Sequence, residues 1–412
     1  MGKLGLRKAH NIEAIEQAFG RAKTDRENGH SGLVLLTSVC HLLNDVCTGA
    51  LPGMVPFLVS EYSYSYAMAS LLMLTSHLLS AISQPIFGYL GDKRPRPWLM
   101  ALGVFLSCCG VCFMGFSNNF GFLIFCSLLI GFGSSIFHPE GGRLANLASG
   151  VHKGKGLSYF SVGGNMGYSL GPIVLSLAFM FCGKSGTVLF APIGIIAVIL
   201  VLANNKNLSI LEAEEAEHNK ELKAKNDVLG FALSLVAVTA RFCIHNAMLL
   251  LIPLFFMNNL GTSDNFSSFM LSAFGFCALI ATLLGGFVAE KVGYKLMLLL
   301  SFVLYIPFIL FFTNSGNVPM AIVCMVLIAF SGNLSWSSGT AYAQQLLPRN
   351  LGRASGLVLG LSVSVGSASS TLFGAIADNI GISPTLYFIV GVALVGILLT
   401  LIIPKKNRFT ED

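Results

Sequence analysis

GYLGDKRPRP, residues 88–97, stands between two apolar runs. A variant of it, GFVAEKVGYK, returns at residues 286–295. Gly88 answers to Gly286, Asp92 to Glu290 and Lys93 to Lys291, each pair 198 residues apart. One charged turn between apolar segments is ordinary. Two copies in register within a 412-residue chain point to a duplicated unit.

The duplicated unit belongs in a bilayer. Hydrophobic residues make up 54% of the chain and charged residues 11%, and the mean hydropathy is +0.75. Soluble domains carry about 25% charged residues, so a water-soluble fold of this length would lack polar surface, and lipid must cover its exterior. A helix needs about 20 apolar residues to cross about 30 Å of hydrocarbon. The apolar runs predict twelve such helices, at residues 32–59, 66–91, 98–116, 120–148, 156–181, 186–203, 227–257, 266–290, 294–313, 317–347, 352–377 and 383–404. Polar stretches such as SNN (117–119), NSGN (314–317) and DNIG (378–381) separate them. The ten cysteines stand singly or within apolar runs, with no C-x-x-C pair that recurs at metal spacing, and read as small buried packers. The first 30 residues are too polar for a cleavable signal peptide, and NIEAIEQAFG at 11–20 has the spacing of a short helix on the membrane surface.

Lys and Arg orient the spans. With the N-terminus in the cytosol, 22 of the 25 fall in cytosolic segments and one, Lys184, in an exterior loop, while Arg143 and Arg241 lie within spans. Residues 204–226, NNKNLSILEAEEAEHNKELKAKN, form a long charged interruption after six spans. The expected organisation is a cytosolic segment at 1–31, a six-helix bundle at 32–203, a cytosolic linker at 204–226, a second bundle at 227–404 and a cytosolic tail at 405–412. Further pairs match at an offset of 200: Lys155-Gly156-Leu157 with Ser355-Gly356-Leu357, His41 with Arg241, and Asp45 with His245.

Twelve spans, a six-plus-six repeat and a central linker resemble the major facilitator superfamily. GYLGDKRPRP is similar to that superfamily's loop signature at Gly88, Leu90, Asp92 and Arg96, while Pro95 and Pro97 replace a Gly and a base. The resemblance implies an all-α membrane fold of two pseudo-symmetric bundles, with Gly88, Asp92, Arg96, Glu290 and Lys291 forming a conformational latch. Physically, the Gly permits close helix approach and the acid can cap a neighbouring helix N-terminus. GGNMGYSLGP, Gly163 to Pro172, resembles the fifth-helix signature of antiporter members, carried by Gly163, Gly167, Gly171 and Pro172. Generic small-residue packing is the other account of that stretch. FGSSIFHPEGGRLANL, HLLNDV at 41–46 and YAQQLLP at 342–348 resemble the fosmidomycin resistance branch.

Ionisable groups inside a bilayer cost about 2.5 to 3.5 kcal/mol each on insertion scales, so they persist where they face a cavity or one another. Asp45 lies near mid-depth with His41 one turn away on the same face, and Arg241 shares a face with His245 at similar depth in the seventh span. Asp45 and Arg241 are expected to face each other across the two halves, either as a proton-coupling site or as a permanent ion pair. Glu140 and Arg143, three apart, can pair on one face near the cytosolic end. They are either a proton site beside an anion-binding guanidinium or a gate. The candidate proton carriers are Asp45 and Glu140. The candidate substrate ligands are Arg241, His245, His41, Arg143 and His138. No metal site is expected, because His138 and Glu140 stand two apart on a helix and point in different directions.

The resulting expectation is a proton-coupled antiporter that exports a small polar or anionic organic compound by alternating access. It has no cofactor and is not an enzyme. Its partners are the substrate, protons and the lipid bilayer, with no nucleic acid, and it is expected to be monomeric in a bacterial cytoplasmic membrane with both termini cytosolic. Another natural substrate, such as a metal chelator or sugar derivative, and uptake rather than export remain as alternatives. A membrane-embedded hydrolase using His138 and Glu140 is disfavoured, since neither G-x-S-x-G nor H-E-x-x-H occurs, and no Walker A sequence links the chain to ATP.

Overall fold

The computed structural model describes residues 30–62, 64, 66–93, 96–212, 225–262 and 264–403. The surface helix expected at 11–20, the second half of the linker and the tail at 405–412 lie outside the described residues. Within them the chain is helical, with no strand. The helices are α1 (Ser31–Tyr62), α2 (Tyr66–Lys93), α3 (Trp98–Met114), α4 (Phe120–Ala148), α5 (Lys153–Cys182), α6 (Ala191–Ala203), α7 (Val228–Asn258), α8 (Asp264–Val292), α9 (Tyr294–Thr313), α10 (Val318–Leu346), α11 (Leu351–Ile380) and α12 (Ile382–Ile402). A 3-10 segment, Gly183–Phe190, joins α5 to α6, so the two run as one 51-residue apolar stretch. α3, at 17 residues, is short for a span. α10 breaks after Asn333 and resumes at Trp336, and α11 contains a π-helical turn, Leu357–Ser362.

Helix is the natural answer to these sequences because hydrocarbon cannot satisfy an open backbone. Where the chain re-enters a helix, polar side chains take up the first free N–H groups. Asn119 accepts from the Phe122 amide at 3.1 Å, Asp227 from Gly230 at 2.8 Å and Asn317 from Met320 at 3.0 Å. Leucines and isoleucines such as Leu74, Leu78, Ile82 and Ile86 on α2 remain exposed along the outside, as a lipid-facing wall requires.

Two cores form, one mainly of α1 to α6 and the other of α7 to α12, with Ala341 of α10 joining the first and Tyr294 packing on both. The linker begins inside the first of them: residues 204–212 turn into a short helix that buries Leu208 and Leu211 against it. The halves enter their first helices by matching bonds. The His30 amide donates to the Ala148 carbonyl at 2.7 Å, and the Asp227 amide to that of Leu346 at 2.9 Å.

The tightest seam inside a half lies between α1 and α5. A Cβ at Gly163 would meet the Ser38 carbonyl, one at Gly167 the Leu42 carbonyl, and one at Gly171 the Ala50 amide and Val46 carbonyl. The glycines of GGNMGYSLGP therefore set the approach of two backbones, and Pro172 lies against Gly53 of α1 at the end of the seam. Gly167→Ala should lower unfolding stability in detergent by about 1–3 kcal/mol, the usual cost of overpacking. Gly391→Ala on α12, where nothing lies within 4 Å of the added methyl, should leave stability unchanged or raise it by about 0.5–1 kcal/mol. Thermal or denaturant unfolding of the two variants side by side checks the contrast.

Candidate functional site

Most of the described hydrogen bonds between the halves gather at one end, the linker end, where residues 204–212 lie, while Ser337 Oγ donates to Ser161 Oγ at 3.2 Å further in. At the linker end the repeated loop acts twice. Asp92, at the end of α2, accepts from the Gly352 amide at 2.7 Å and the Arg353 amide at 2.9 Å, the first N–H groups of α11. Glu290, at the end of α8, accepts from the Lys155 amide of α5 at 3.0 Å and lies 3.1 Å from His152 Nδ1. Lys155 Nζ adds an ion pair at 3.6 Å. The close glycine contacts repeat as well, Gly88 against Gly352 and Gly286 against Gly154. Each acid thus sits at the positive end of a helix in the opposite half. Arg96 and Lys291, expected in the latch, are exposed and form no described bond across the halves. The backbone N–H groups already supply the positive partner, so these bases turn to solvent. The pairing also corrects one alignment. Lys155 corresponds to Arg353, 198 residues on, and not to Ser355.

Behind the latch the halves share a polar contact near the pseudo-twofold axis. Asn146 Nδ2 donates to Gln344 Oε1 at 2.7 Å, and Gln344 Nε2 donates to the Gly142 carbonyl at 3.1 Å and to Ser355 Oγ at 2.8 Å. Asn146 and Gln344 are themselves 198 residues apart. Glu140 and Arg143 do pair: Arg143 Nη2 donates to Glu140 Oε1 at 2.6 Å and Nε to Oε2 at 3.2 Å. The same Nη2 also reaches Glu212 of the linker helix at 2.5 Å. Arg143 is fully buried between these two carboxylates, which makes it a clamp between α4 and the linker rather than an open anion site.

Asp45 meets partners from its own half. His41 Nε2 lies 3.3 Å from one carboxylate oxygen and His138 Nε2, on α4, 3.6 Å from the other. Asn44 Nδ2 donates to the same carboxylate at 2.8 Å. The remaining imidazole nitrogens are committed. His41 Nδ1 lies 2.7 Å from the Phe160 carbonyl and His138 Nδ1 2.9 Å from the Ser134 carbonyl. A carbonyl only accepts, so both Nδ1 atoms carry hydrogen. In neutral rings the two Nε2 atoms then aim bare lone pairs at a carboxylate. Phe137 and Phe160 wall the His41 ring.

Arg241 does not face Asp45 as a partner, which corrects the expected pair. It is fully buried, and none of its three nitrogens has a hydrogen-bond partner among the described residues. Its guanidinium lies 4.2 Å from the Phe242 ring centre and 4.6 Å from that of Trp336, the residue at which α10 resumes after its break. His245 stacks edge-on to the same Trp336 at 5.1 Å, and its Nδ1 is unpartnered, as is the hydroxyl of Tyr305. Trp336, Phe242 and Tyr305 gave no sign of this role in the sequence, because only the α10 break brings Trp336 onto α7. Asp45 and Arg241 lie 14 and 13 residues beyond the starts of α1 and α7, so each is about 20 Å from the linker end along its helix.

Comparison with known proteins bears on the whole chain. The family profile of the Major Facilitator Superfamily matches residues 37–255 and 233–411. The fosmidomycin resistance protein of Escherichia coli (strain K12) is 29% identical over 396 residues, 95% of this chain and 97% of that protein. The MFS-type transporter YfnC of Bacillus subtilis (strain 168) is 28% identical over 387 residues, 92% of this chain and 94% of that one. Among solved structures, the transporter FucP in its outward conformation superposes with a TM-score of 0.71 at 12% identity, covering 91% of this chain and 99% of that one.

The two acid caps should hold the linker end shut additively, since each touches a different helix. Asp92→Ala or Glu290→Ala should each weaken closure by about 0.5–2 kcal/mol, the usual worth of a helix N-cap, and the double variant by about the sum. Spin-label distances across the linker end should show a stepwise growth of the open population through the series, while the distance from α1 to α5 within the first half stays fixed.

Proposed function

The chain belongs to the Major Facilitator Superfamily, and from that membership we propose that it is a proton-driven antiporter exporting a small polar or anionic organic compound by alternating access. In this reading the linker end is cytosolic, the membrane is a bacterial cytoplasmic membrane, both termini are cytosolic, and the conformation described is closed toward the cytosol. The observation that carries it is Arg241, a fully buried guanidinium at mid-depth with no acceptor among the described residues. Such a group is costly in a membrane unless it serves a ligand or lines a cavity. Its fork suits two anionic oxygens at once, and the flanking Trp336 and Phe242 rings suit the organic part of a ligand.

Asp45, His41 and His138 stand at comparable depth in the other half and present three converging acceptors that one proton can bridge. A substrate that rests an anionic group on Arg241 and turns a hydrogen-bond donor to the triad displaces that proton. Proton and substrate then travel in opposite directions as the halves rock about the latch. The α1/α5 glycine seam, similar to an antiporter signature, and the relative named for fosmidomycin resistance both support export. His245, on the Arg241 face, is the second substrate ligand in this scheme, and Glu140 with Arg143 gates the cytosolic mouth.

Asp45→Asn should abolish substrate-driven proton movement in proteoliposomes, tested with fosmidomycin as probe, while the protein remains folded. A normal pH change in the variant would remove Asp45 from the proton path. Arg241→Lys keeps the charge but loses the fork, and should weaken probe binding about 10- to 100-fold, or about 1.4–2.8 kcal/mol. Arg241→Gln should weaken it further. Unchanged affinity in Arg241→Lys would make Arg241 a bystander.

A further inference from the structure

The geometry points to a transition-metal site at His41, Asp45 and His138, in which His41 Nε2, the Asp45 carboxylate and His138 Nε2 ligate one divalent ion of the Zn2+ class. The three donor atoms lie within 4.8 Å of one another. The two measured nitrogen–oxygen separations are 3.3 and 3.6 Å. Donors around a tetrahedral Zn2+ with bonds of about 2.0–2.2 Å stand roughly 3.3–3.6 Å apart. The two contacts fall on different oxygens of Asp45, so a small turn of the carboxylate brings all three donors onto one ion.

The groups around the donors fit the same reading. A metal-ligating imidazole generally donates its other N–H to a carbonyl or carboxylate, which fixes the tautomer and aims the free lone pair. Both rings do so here, His41 to Phe160 and His138 to Ser134. Asn44 holds the carboxylate from the side, and Asn44 is in turn held by Ser107 Oγ at 3.1 Å. Two imidazoles and one carboxylate suit a borderline ion better than Mg2+ or Ca2+, which take mainly oxygen. Three protein ligands leave a fourth position open. The Asp45 and His138 side chains keep 14% exposure each, so that position adjoins open space. Sequence spacing concealed the site because His138 comes from α4 and meets α1 only in the folded bundle.

The assignment goes beyond the transport reading and does not depend on its direction. Proton and metal compete for the same lone pairs, with Cys47 on α1, His77 on α2 and Tyr168 on α5 as the further titratable groups near Asp45. A Zn2+ ion bound there would block protonation of the triad.

The test is calorimetric titration of Zn2+ into the full chain, purified in detergent and stripped with chelator, which needs no transport substrate. The expected result is a single Zn2+ per chain, with affinity at least about 100-fold lower in Asp45→Asn and in His138→Gln, more than the 10- to 100-fold typical of losing only a supporting contact. His152→Gln, at the latch, should bind as the parent does. Absence of stoichiometric binding in the parent, or parental affinity in both triad variants, overturns the assignment. Should a variant fold poorly, Co2+ loading of the parent still decides. Tetrahedral d–d bands without a thiolate charge-transfer band support the triad, and a thiolate band or an octahedral spectrum overturns it. Failure of Zn2+ binding with intact proton counterflow would remove the metal site and leave the antiport proposal standing.

Discussion

Hydrocarbon offers no hydrogen bonds, and a backbone or side-chain polar group left without a partner there costs several kcal/mol. This constraint orders the whole molecule. It makes every described span helical, places caps such as Asn119 and Asn317 where helices begin, and brings α1 and α5 together over glycines instead of over large side chains. It also gives meaning to exceptions. Arg143 is buried but held by two carboxylates. Arg241 is buried and held by none among the described residues, resting against aromatic faces. Two arginines under one solvent rule thus have different surroundings, one held by carboxylates and the other by aromatic faces.

The same constraint explains why the halves are joined as they are. A helix N-terminus in or near the membrane needs acceptors for its first N–H groups. Asp92 and Glu290 provide them from the opposite half, so satisfying a helix end and closing the linker end become one interaction. Because the chain is duplicated, the interaction appears twice, and Asn146 meets its own counterpart Gln344 between the two copies. The scaffold is symmetric while its contents are not. The first half carries an acid with two histidines, the second a guanidinium in an aromatic cradle. In the antiport proposed above, a ligand spanning them would sense the charge state of one half while bound to the other.

Much of this could be read along the chain. The loop repeat at Gly88–Asp92 and Gly286–Glu290 located two matching contacts between the halves, and the apolar runs placed the helices within a few residues of their observed ends. Other features needed contacts between distant residues. Glu212 looked like one charge among many in a solvated linker, yet it closes on Arg143 because residues 204–212 fold back onto the first core. His138 stands two residues from Glu140 along the chain, and the helix turns the two apart and presents His138 to Asp45. The offset of 200 that aligned Lys155 with Ser355 was a coincidence of small residues, and the cap geometry at Glu290 and Asp92 replaces it with 198.

The sequence by itself determined the solvent, the number of helices, the duplication and the acids that close the linker end. Each of these is written in local composition or in a repeat at fixed spacing, and a bilayer reads hydrophobicity and charge segment by segment. Only the tertiary structure decided which buried charge meets which. Asp45 could have met Arg241 or the histidines of its own half, and Arg241 could have been paired or left open. Side chains at mid-depth choose among partners by helix rotation and by the break in α10 that carries Trp336 onto α7. Those are properties of how helices pack against one another over several ångströms, and nothing in the spacing of residues along one helix records them.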